Sequence, residues 1–141
     1  MPEPFIGAVP DDRLYDPEHD MWVMREGDAV VVGATAFGVH LAGRIIAFTG
    51  KPRGAQVARG RGLGTVECAK TVLAVHAPLS FTLDAINEAL EAQPDALNAD
   101  AWSAWMARGM PTDWAGEAPQ LVDAAAYRAH IRRIDPQARV Q

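Results

Sequence analysis

The sequence predicts an all-β sandwich or barrel with small helices. Short β-prone runs are separated by turn-forming residues along most of the chain, whose 141 residues include 12 Gly and 10 Pro. Amphipathic helical patterns are few and short. Hydrophobic residues make up 49% of the chain and charged residues 22%, which is typical of a soluble globular protein of one domain. Many short strands divided by turn signals favour a mainly β fold over an α/β one.

The N-terminal region predicts an extended arm followed by a β-hairpin. Residues 1–17 hold four of the ten prolines, so we expect an arm that lies over the domain. Residues 21–25 and 29–33 are β-prone and flank the turn signal Gly27-Asp28. That arrangement is typical of two antiparallel strands.

A short helix and another strand are expected next. Thr35 is a good N-cap for a helix over residues 36–42, and Gly43 suits its C-terminal end. Residues 44–49 are β-prone. Five glycines and four basic residues between 50 and 64 predict a flexible, locally basic loop.

A second hairpin presents one lysine. The β-prone runs 63–67 and 72–76 flank Cys68-Ala69-Lys70-Thr71, which places Lys70 at the tip. The chain has only two lysines against eleven arginines, so a primary amine at this tip is a rare placement.

The C-terminal half predicts two strands and two helices. Residues 79–86 form a strand pattern, and Asn87 is placed to cap one or two helical turns over 88–92. The tryptophans in 101–108 fit either period, and the length and flanks of the run favour a strand. Residues 120–133 predict a helix with two arginines at its C-terminal end.

Charge and composition exclude several classes of function. The net charge of −5 and pI of about 5.2 argue against binding of nucleic acid or an anionic membrane. No apolar run approaches the ~20 residues of a membrane span, and the first residues do not resemble a signal peptide, so we expect a cytoplasmic protein. The single cysteine excludes an internal disulfide and has no partner at zinc-ligand spacing, so no metal site is expected.

Lys70 is the candidate functional residue, and its position suits presentation rather than catalysis. A lysine on a tight turn is most often a solvated charge that discourages strand pairing. A catalytic lysine needs a depressed pKa and an apolar pocket, which a turn tip does not supply. A turn tip does let a modifying enzyme engage the hairpin, after which the modified side chain swings from a rigid base. No nucleotide loop, serine triad or metal motif competes with this interpretation.

Several motifs in a fixed order resemble the glycine cleavage system H protein family of the lipoyl-domain superfamily. The attachment motif Glu-Ser-x-Lys-Ala of that family is similar to Glu67-Cys68-Ala69-Lys70-Thr71. Its other motifs are similar to Glu18-His19-Asp20-Met21-Trp22, Glu26-Gly27-Asp28, Ala77-Pro78-Leu79-Ser80-Phe81 and Ile86-Asn87-Glu88-Ala89-Leu90. The resemblance covers residues 14–131 and rests on the order and spacing of the motifs together.

The resemblance implies a fold and a covalent modification. The fold is a barrel-sandwich hybrid of two small antiparallel sheets with short helices and a C-terminal helix, over residues 18–134, with a tail at 135–141. Lys70 would be amidated by lipoic acid and would carry a bound intermediate between enzymes. A lipoylating enzyme would recognise the residues that flank this lysine, namely Glu67, Cys68, Ala69 and Thr71.

The implied partners depend on the cargo. In glycine cleavage they are glycine decarboxylase, aminomethyltransferase and dihydrolipoamide dehydrogenase, and the carrier itself is not an enzyme. Residues 14–16, 35–43 and 47–51 resemble instead the H-like lipoate-binding proteins of sulfur oxidation, whose partner is a heterodisulfide-reductase-like complex. At this point the two processes stand at comparable odds. Phe81, where the family has glycine, predicts a rebuilt or strained turn if that position needs a positive φ.

Two further classes of function remain open from the sequence. One is an unmodified H-like adaptor that binds a partner through the surface of residues 77–110, where departures from the family pattern gather. The other is an independent enzyme, which the sequence supports least because it offers no nucleophile and base pair; a reactive Cys68 thiol would revive it.

Overall fold

The computed structural model describes residues 3–141, which form a mainly β domain. The strands are β1 Ile6–Gly7, β2 Leu14–Asp16, β3 Met21–Glu26, β4 Ala29–Ala34, β5 Ile45–Gly50, β6 Gln56–Val57, β7 Gly62–Cys68, β8 Val72–His76, β9 Phe81–Ile86, β10 Ala107–Pro111 and β11 Arg139–Val140. The helices are α1 Ala36–Ala42, α2 Glu88–Ala92, α3 Ala96–Ala99, α4 Trp114–Glu117 and α5 Ala124–Ile134, with a 3₁₀ turn at Ala118–Gln120. None of the helices within residues 3–141 is long and apolar enough to span a bilayer.

Two antiparallel sheets form the body of the fold. One has six strands in the order β2-β3-β4-β10-β9-β6, and the other has three in the order β5-β7-β8. Alternate residues of both sheets, such as Val23, Val32, Leu63 and Leu83, are buried in one shared core cluster. The prediction of a β-sandwich with short helices and a C-terminal helix is confirmed.

A second core cluster packs helix α5 against the six-stranded sheet. Tyr127 of α5 stacks on Tyr15 with ring centroids 4.8 Å apart, and both rings are fully buried. Trp22 joins them, and its indole Nε1–H donates to the carbonyl of Ala101. Burial of such aromatic rings contributes a large part of the stability of a small core.

Local sequence signals placed most elements correctly. Strands β3 and β4 pair as the predicted hairpin around Gly27, whose φ of 63° is readily adopted by glycine. Thr35 caps α1, and its Oγ1 accepts a hydrogen bond from the N–H of Gly38. Asn87 caps α2 in the same way through the N–H of Leu90.

The strand expected over residues 101–108 is wrong for residues 101–106. The carboxylate of Asp100 accepts hydrogen bonds from the N–H of Trp102 and the hydroxyl of Ser103, which fixes a turn at residues 101–103. Strand β10 therefore begins only at Ala107, where it pairs with β4 and β9.

The C-terminal helix begins later than expected. Asp123 is its N-cap and accepts a hydrogen bond from the N–H of Ala126, so α5 starts at Ala124 rather than at residue 120. The N-cap side chain satisfies a backbone donor that the first helical turn would otherwise leave unpaired.

Phe81 causes no backbone strain. It lies in strand β9 and is fully buried, whereas Asp20 is the only non-glycine residue with positive φ in the described part of the chain. The ring of Phe81 occupies space above Gly109 on the neighbouring strand, where a β-carbon would collide with it. The strained turn expected at this position does not occur.

The two ends of the chain pair with each other. Strand β1 runs parallel to β11, and the N–H of Val9 donates to the carbonyl of Gln141. Strand β2, which falls within the predicted arm, is an edge of the six-stranded sheet. The domain boundaries at residues 17 and 134 stay predictions, and residues 1–2 of the arm lie outside the described residues.

A polar network holds the loop before β3 against helices α1 and α5. The hydroxyl of Tyr127 donates to Oδ1 of Asp20 and lies 2.7 Å from Oγ1 of Thr35, which donates to it in turn. The N–H of Thr35 also donates to the carbonyl of Asp20. Burial raises the pKa of the Asp20 carboxyl, because removal from water disfavours its charged form.

The packing of β7 predicts a sharp difference between two glycines of the same strand. A β-carbon at Gly64 would collide with the backbone of Thr49 on β5, whereas one at Gly62 would meet nothing closer than 3.8 Å. We expect Gly64→Ala to lower the free energy of unfolding by about 1–3 kcal/mol. Gly62→Ala is the matched control and should change it by less than about 1 kcal/mol. Urea denaturation measures both, and equal midpoints would contradict the close approach.

The raised pKa of Asp20 predicts that Asp20→Asn increases the free energy of unfolding by an amount that depends on pH. Because the folded-state pKa lies above the unfolded value, the contribution of Asp20 is most favourable below its unfolded pKa and is lost as pH rises through the folded pKa. Asparagine stays neutral, accepts from Tyr127 and tolerates the φ of 55°. The variant should therefore be more stable than the wild type at pH 7, with a gap that closes as pH falls.

Urea denaturation between pH 3 and 8 measures this gap. Asp28→Asn, which alters an exposed carboxylate in the β3–β4 turn, is the control and should show no comparable trend. A stability difference between Asp20→Asn and the wild type that grows as pH falls would contradict the raised pKa of Asp20.

Candidate functional site

Lys70 lies at the tip of the β7–β8 hairpin, as the sequence predicts. The two strands pair from Gly62 opposite His76 to Glu67 opposite Val72. The N–H of Cys68 donates to the carbonyl of Thr71 at 2.9 Å and closes the turn. Ala69 and Lys70 form the exposed loop beyond this bond.

The amine of Lys70 is not engaged by the rest of the domain. Within residues 3–141 it forms neither an ion pair nor a hydrogen bond, and the side chain is exposed. Glu67, three residues earlier, is also exposed and makes no ion pair with it in this part of the chain. The amine can therefore be modified without breaking a contact of the fold.

The residues that flank Lys70 divide into an exposed and a buried set. Ala69, Thr71 and Glu67 are exposed around the tip. Cys68 is only 4% exposed, and its Sγ donates to the carbonyl of Thr71 at 3.4 Å. The thiol thus faces the core and shapes the turn, so its side chain is not offered to a partner protein or a substrate.

An apolar cleft of about 250 Å³ runs beside strand β8, one of the two edge strands of the three-stranded sheet. Strands β7 and β8 contribute Val66, Leu73, Ala74, Val75 and His76 to it. The opposite wall is formed by α1, the loop before β3 and buried methionines, including Val39, Leu41, Met21 and Met106. The cleft begins at Leu73, three residues or about 10 Å along the chain from Lys70.

Two histidines from different parts of the chain meet at this cleft. His19, in the loop before β3, stacks on His76 at the end of β8, with centroids 4.7 Å apart and planes inclined by 26°. Nδ1 of His76 donates to the carbonyl of Gly60 at 2.9 Å. Nδ1 of His19 lies 2.9 Å from Oδ2 of Asp16. The ring pair connects the hairpin sheet to the six-stranded sheet.

Sequence reasoning missed this cluster. Five acidic residues lie between positions 11 and 20, a pattern that by itself indicates a solvated face. Asp16 is nevertheless only 2% exposed, and it accepts hydrogen bonds from the N–H of Glu18 and from His19. The four histidines show no common spacing along the chain. The Asp-Pro-Glu-His segment was the available signal, because an Asp side chain that accepts from the N–H two residues on is typical of a turn.

Comparisons with known proteins agree with the geometry of the hairpin. The family model for the glycine cleavage H-protein matches residues 13–134. The glycine cleavage system H protein of Acidobacterium capsulatum is 34% identical over 125 residues, which cover 89% of this chain and 95% of that protein. The H protein of Bordetella pertussis is 36% identical over 123 residues, which cover 86% of this chain and 97% of that protein.

A solved structure extends the likeness to three dimensions. The crystal structure of a glycine cleavage system H protein from Mycobacterium marinum superposes with a TM-score of 0.75 at 29% identity, and it covers 86% of this chain and 97% of that one. A family match over most of the sequence and a fold match over the same share of the chain lead to one conclusion. The chain belongs to the glycine cleavage H-protein family.

Proposed function

We propose that this protein is a lipoyl carrier of the glycine cleavage type, modified on Lys70. The observation that carries the proposal is a free, exposed amine at the tip of a hairpin, beside an apolar cleft. Proteins of this family carry lipoic acid and act as carrier components rather than as catalysts. We expect the carrier in the cytoplasm.

The residues present fit a lipoyl group. Amide formation neutralises the amine of Lys70, which has no ion-pair partner in the described part of the chain, so the fold loses no interaction. The neighbouring cleft offers apolar walls from Val66, Leu73 and Val75 to an alkyl chain. When bound, the lipoyl group would supply a dithiolane whose disulfide opens as cargo is taken up and which is left as a dithiol once the cargo is released.

The chain itself supplies a rigid base and recognition residues. Strand β7 is paired on both sides, with β5 and β8, so the hairpin cannot bend easily. We propose that a lipoylating enzyme recognises Glu67, Ala69 and Thr71 around the lysine, and that Cys68 contributes by closing the turn from inside. A modified side chain tethered to this base is held at high effective concentration near a docked partner.

The proposed partners are those of glycine cleavage: glycine decarboxylase, aminomethyltransferase and dihydrolipoamide dehydrogenase. The relatives described above are all named for glycine cleavage, and none is named for sulfur oxidation. The heterodisulfide-reductase-like partner implied by part of the sequence therefore has no support from them. The unmodified adaptor is the alternative that the first experiment below decides.

Lipoylation should occur on Lys70 alone. The only other lysine, Lys51, is also exposed but lies in the loop after β5. Expression with lipoic acid and a lipoylating enzyme should add one lipoyl group to the wild type and to Lys51→Arg, and none to Lys70→Arg. Intact mass with peptide mapping measures this, and urea denaturation should show unchanged stability in both variants. A folded wild type that stays unmodified would favour the adaptor.

The lipoylated protein should support glycine breakdown. With glycine decarboxylase, aminomethyltransferase, tetrahydrofolate, dihydrolipoamide dehydrogenase and NAD⁺, we expect glycine-dependent NADH formation from the wild type and Lys51→Arg. The Lys70→Arg variant should give only background, because it lacks the attachment amine. Full lipoylation without glycine-dependent NADH would assign the carrier to a different cargo.

A further inference from the structure

We propose that His19, oriented by Asp16, is the proton acceptor for thiols that enter the cleft beside β8. The inference rests on the carrier function proposed above, since the reduced lipoyl arm is the thiol concerned. It assigns a chemical role to a pair of residues outside the attachment hairpin.

The first support is the orientation of the His19 ring. Asp16 is buried, and its Oδ1 is fixed by the N–H of Glu18 at 3.0 Å. Its Oδ2 lies 2.9 Å from Nδ1 of His19. A carboxylate only accepts, so the proton of the neutral ring is on Nδ1 and Nε2 carries a lone pair. This is the arrangement of a base and its orienting group.

The second support is the position of the open nitrogen. His19 lines the cleft, and its Nε2 has no hydrogen-bond partner within residues 3–141 and is not among the buried unpaired atoms. Oδ1 of Asp20, another polar group of the cleft, accepts from Tyr127. Nδ1 of the stacked His76 donates to the carbonyl of Gly60, so Nε2 of His76 is also open, but in the described part of the chain no carboxylate lies behind that ring as Asp16 does behind His19.

The charged and titratable groups near His19 come from the loop before β3 and from strand β8. Asp16, Glu18 and Asp20 belong to the same loop, and His76 faces the ring from β8. Asp16 contacts the ring directly, through its Oδ2 and Nδ1 of His19. The three side chains of Asp16, Glu18 and His19 could also surround a cation, but the bonds just described use both oxygens of Asp16 within the chain.

The proposed step transfers one proton between a thiol and His19 within the cleft. Nε2 of His19 takes the proton of an S–H group, the bonding electron pair stays on sulfur, and Nδ1 remains bonded to Asp16. When the sulfur is next protonated, Nε2 returns the proton. His19 thus holds and moves one proton, and no oxidant or reductant is consumed. General base assistance of this kind raises rates by ~10²–10⁴ in enzymes.

The test measures alkylation of the arm thiols by iodoacetamide. Lipoylation of each variant is first confirmed by mass, the arm is reduced with a phosphine that is then removed, and alkylation rates are followed by mass between pH 6 and 9. His19→Gln keeps an N–H donor for Asp16 but cannot accept the proton. Asp16→Asn leaves an amide that donates to Nδ1 and so places the ring proton on Nε2. His76→Phe keeps the ring stack and is the matched control.

We expect His19→Gln to slow alkylation near pH 7 by about tenfold or more, with a pH profile moved towards that of free dihydrolipoamide. The alkylation rate of Asp16→Asn should approach that of His19→Gln, whereas the rate of His76→Phe should stay within about twofold of the wild-type rate. Urea midpoints identify any variant that fails to fold, and the remaining variant of the Asp16–His19 pair then decides. Equal rates and profiles for His19→Gln and the wild type would overturn the proposal, as would an equal loss in His76→Phe.

A second measurement separates this inference from the carrier function. Unlipoylated protein is mixed with free dihydrolipoamide, and alkylation of that thiol is followed with wild type, His19→Gln and His76→Phe. A His19-dependent acceleration would support the proposal even if Lys70 carries no lipoyl group. Absence of a His19 effect in both measurements would overturn it, whereas absence of the lipoyl adduct alone would overturn only the carrier function.

Discussion

The pairing of strand β7 on both of its edges is the constraint on which the site depends. β7 pairs with β5 on one side and β8 on the other, and Gly64 lets its backbone approach Thr49 more closely than any side chain would allow. Backbone hydrogen bonds to a neighbouring strand on each side fix the twist and register of a strand. The hairpin tip with Lys70 is therefore an exposed turn on a rigid base, which suits the lipoyl attachment proposed for it.

The loop from Asp16 to Asp20 connects this hairpin to the rest of the domain. Its backbone is held by the carboxylate of Asp16 at one end and by the contacts of Asp20 with Tyr127 and Thr35 at the other. Asp20 adopts a φ of 55°, which is uncommon for a side chain other than glycine or asparagine and persists where surrounding contacts enforce it. These contacts set the position of His19 against His76, so the second core cluster indirectly determines the wall of the cleft.

The sequence predicted what short-range chemistry decides. The hairpin that carries Lys70, the cap of α1 at Thr35 and the cap of α2 at Asn87 all depend on residues within a few positions of each other. The run at 101–108 was misassigned because its outcome depends on one side chain, Asp100, that competes with the strand for backbone donors. Resemblance to a family supplied the expectation of lipoic acid, because the spacing of apolar and polar residues indicates secondary structure and not a covalent cofactor.

The cleft and the stack of His19 on His76 were beyond such reasoning, since their members come together only through the tertiary fold. His19 and His76 are 57 positions apart, and burial of Asp16 follows from the packing of β2 rather than from the acidic run around it. This distribution has a physical consequence for the proposed carrier. The proposed attachment at Lys70 would depend on a local hairpin, whereas the proposed proton transfer in the cleft would depend on contacts from several elements. Substitutions far from Lys70 should therefore alter the chemistry in the cleft without altering attachment.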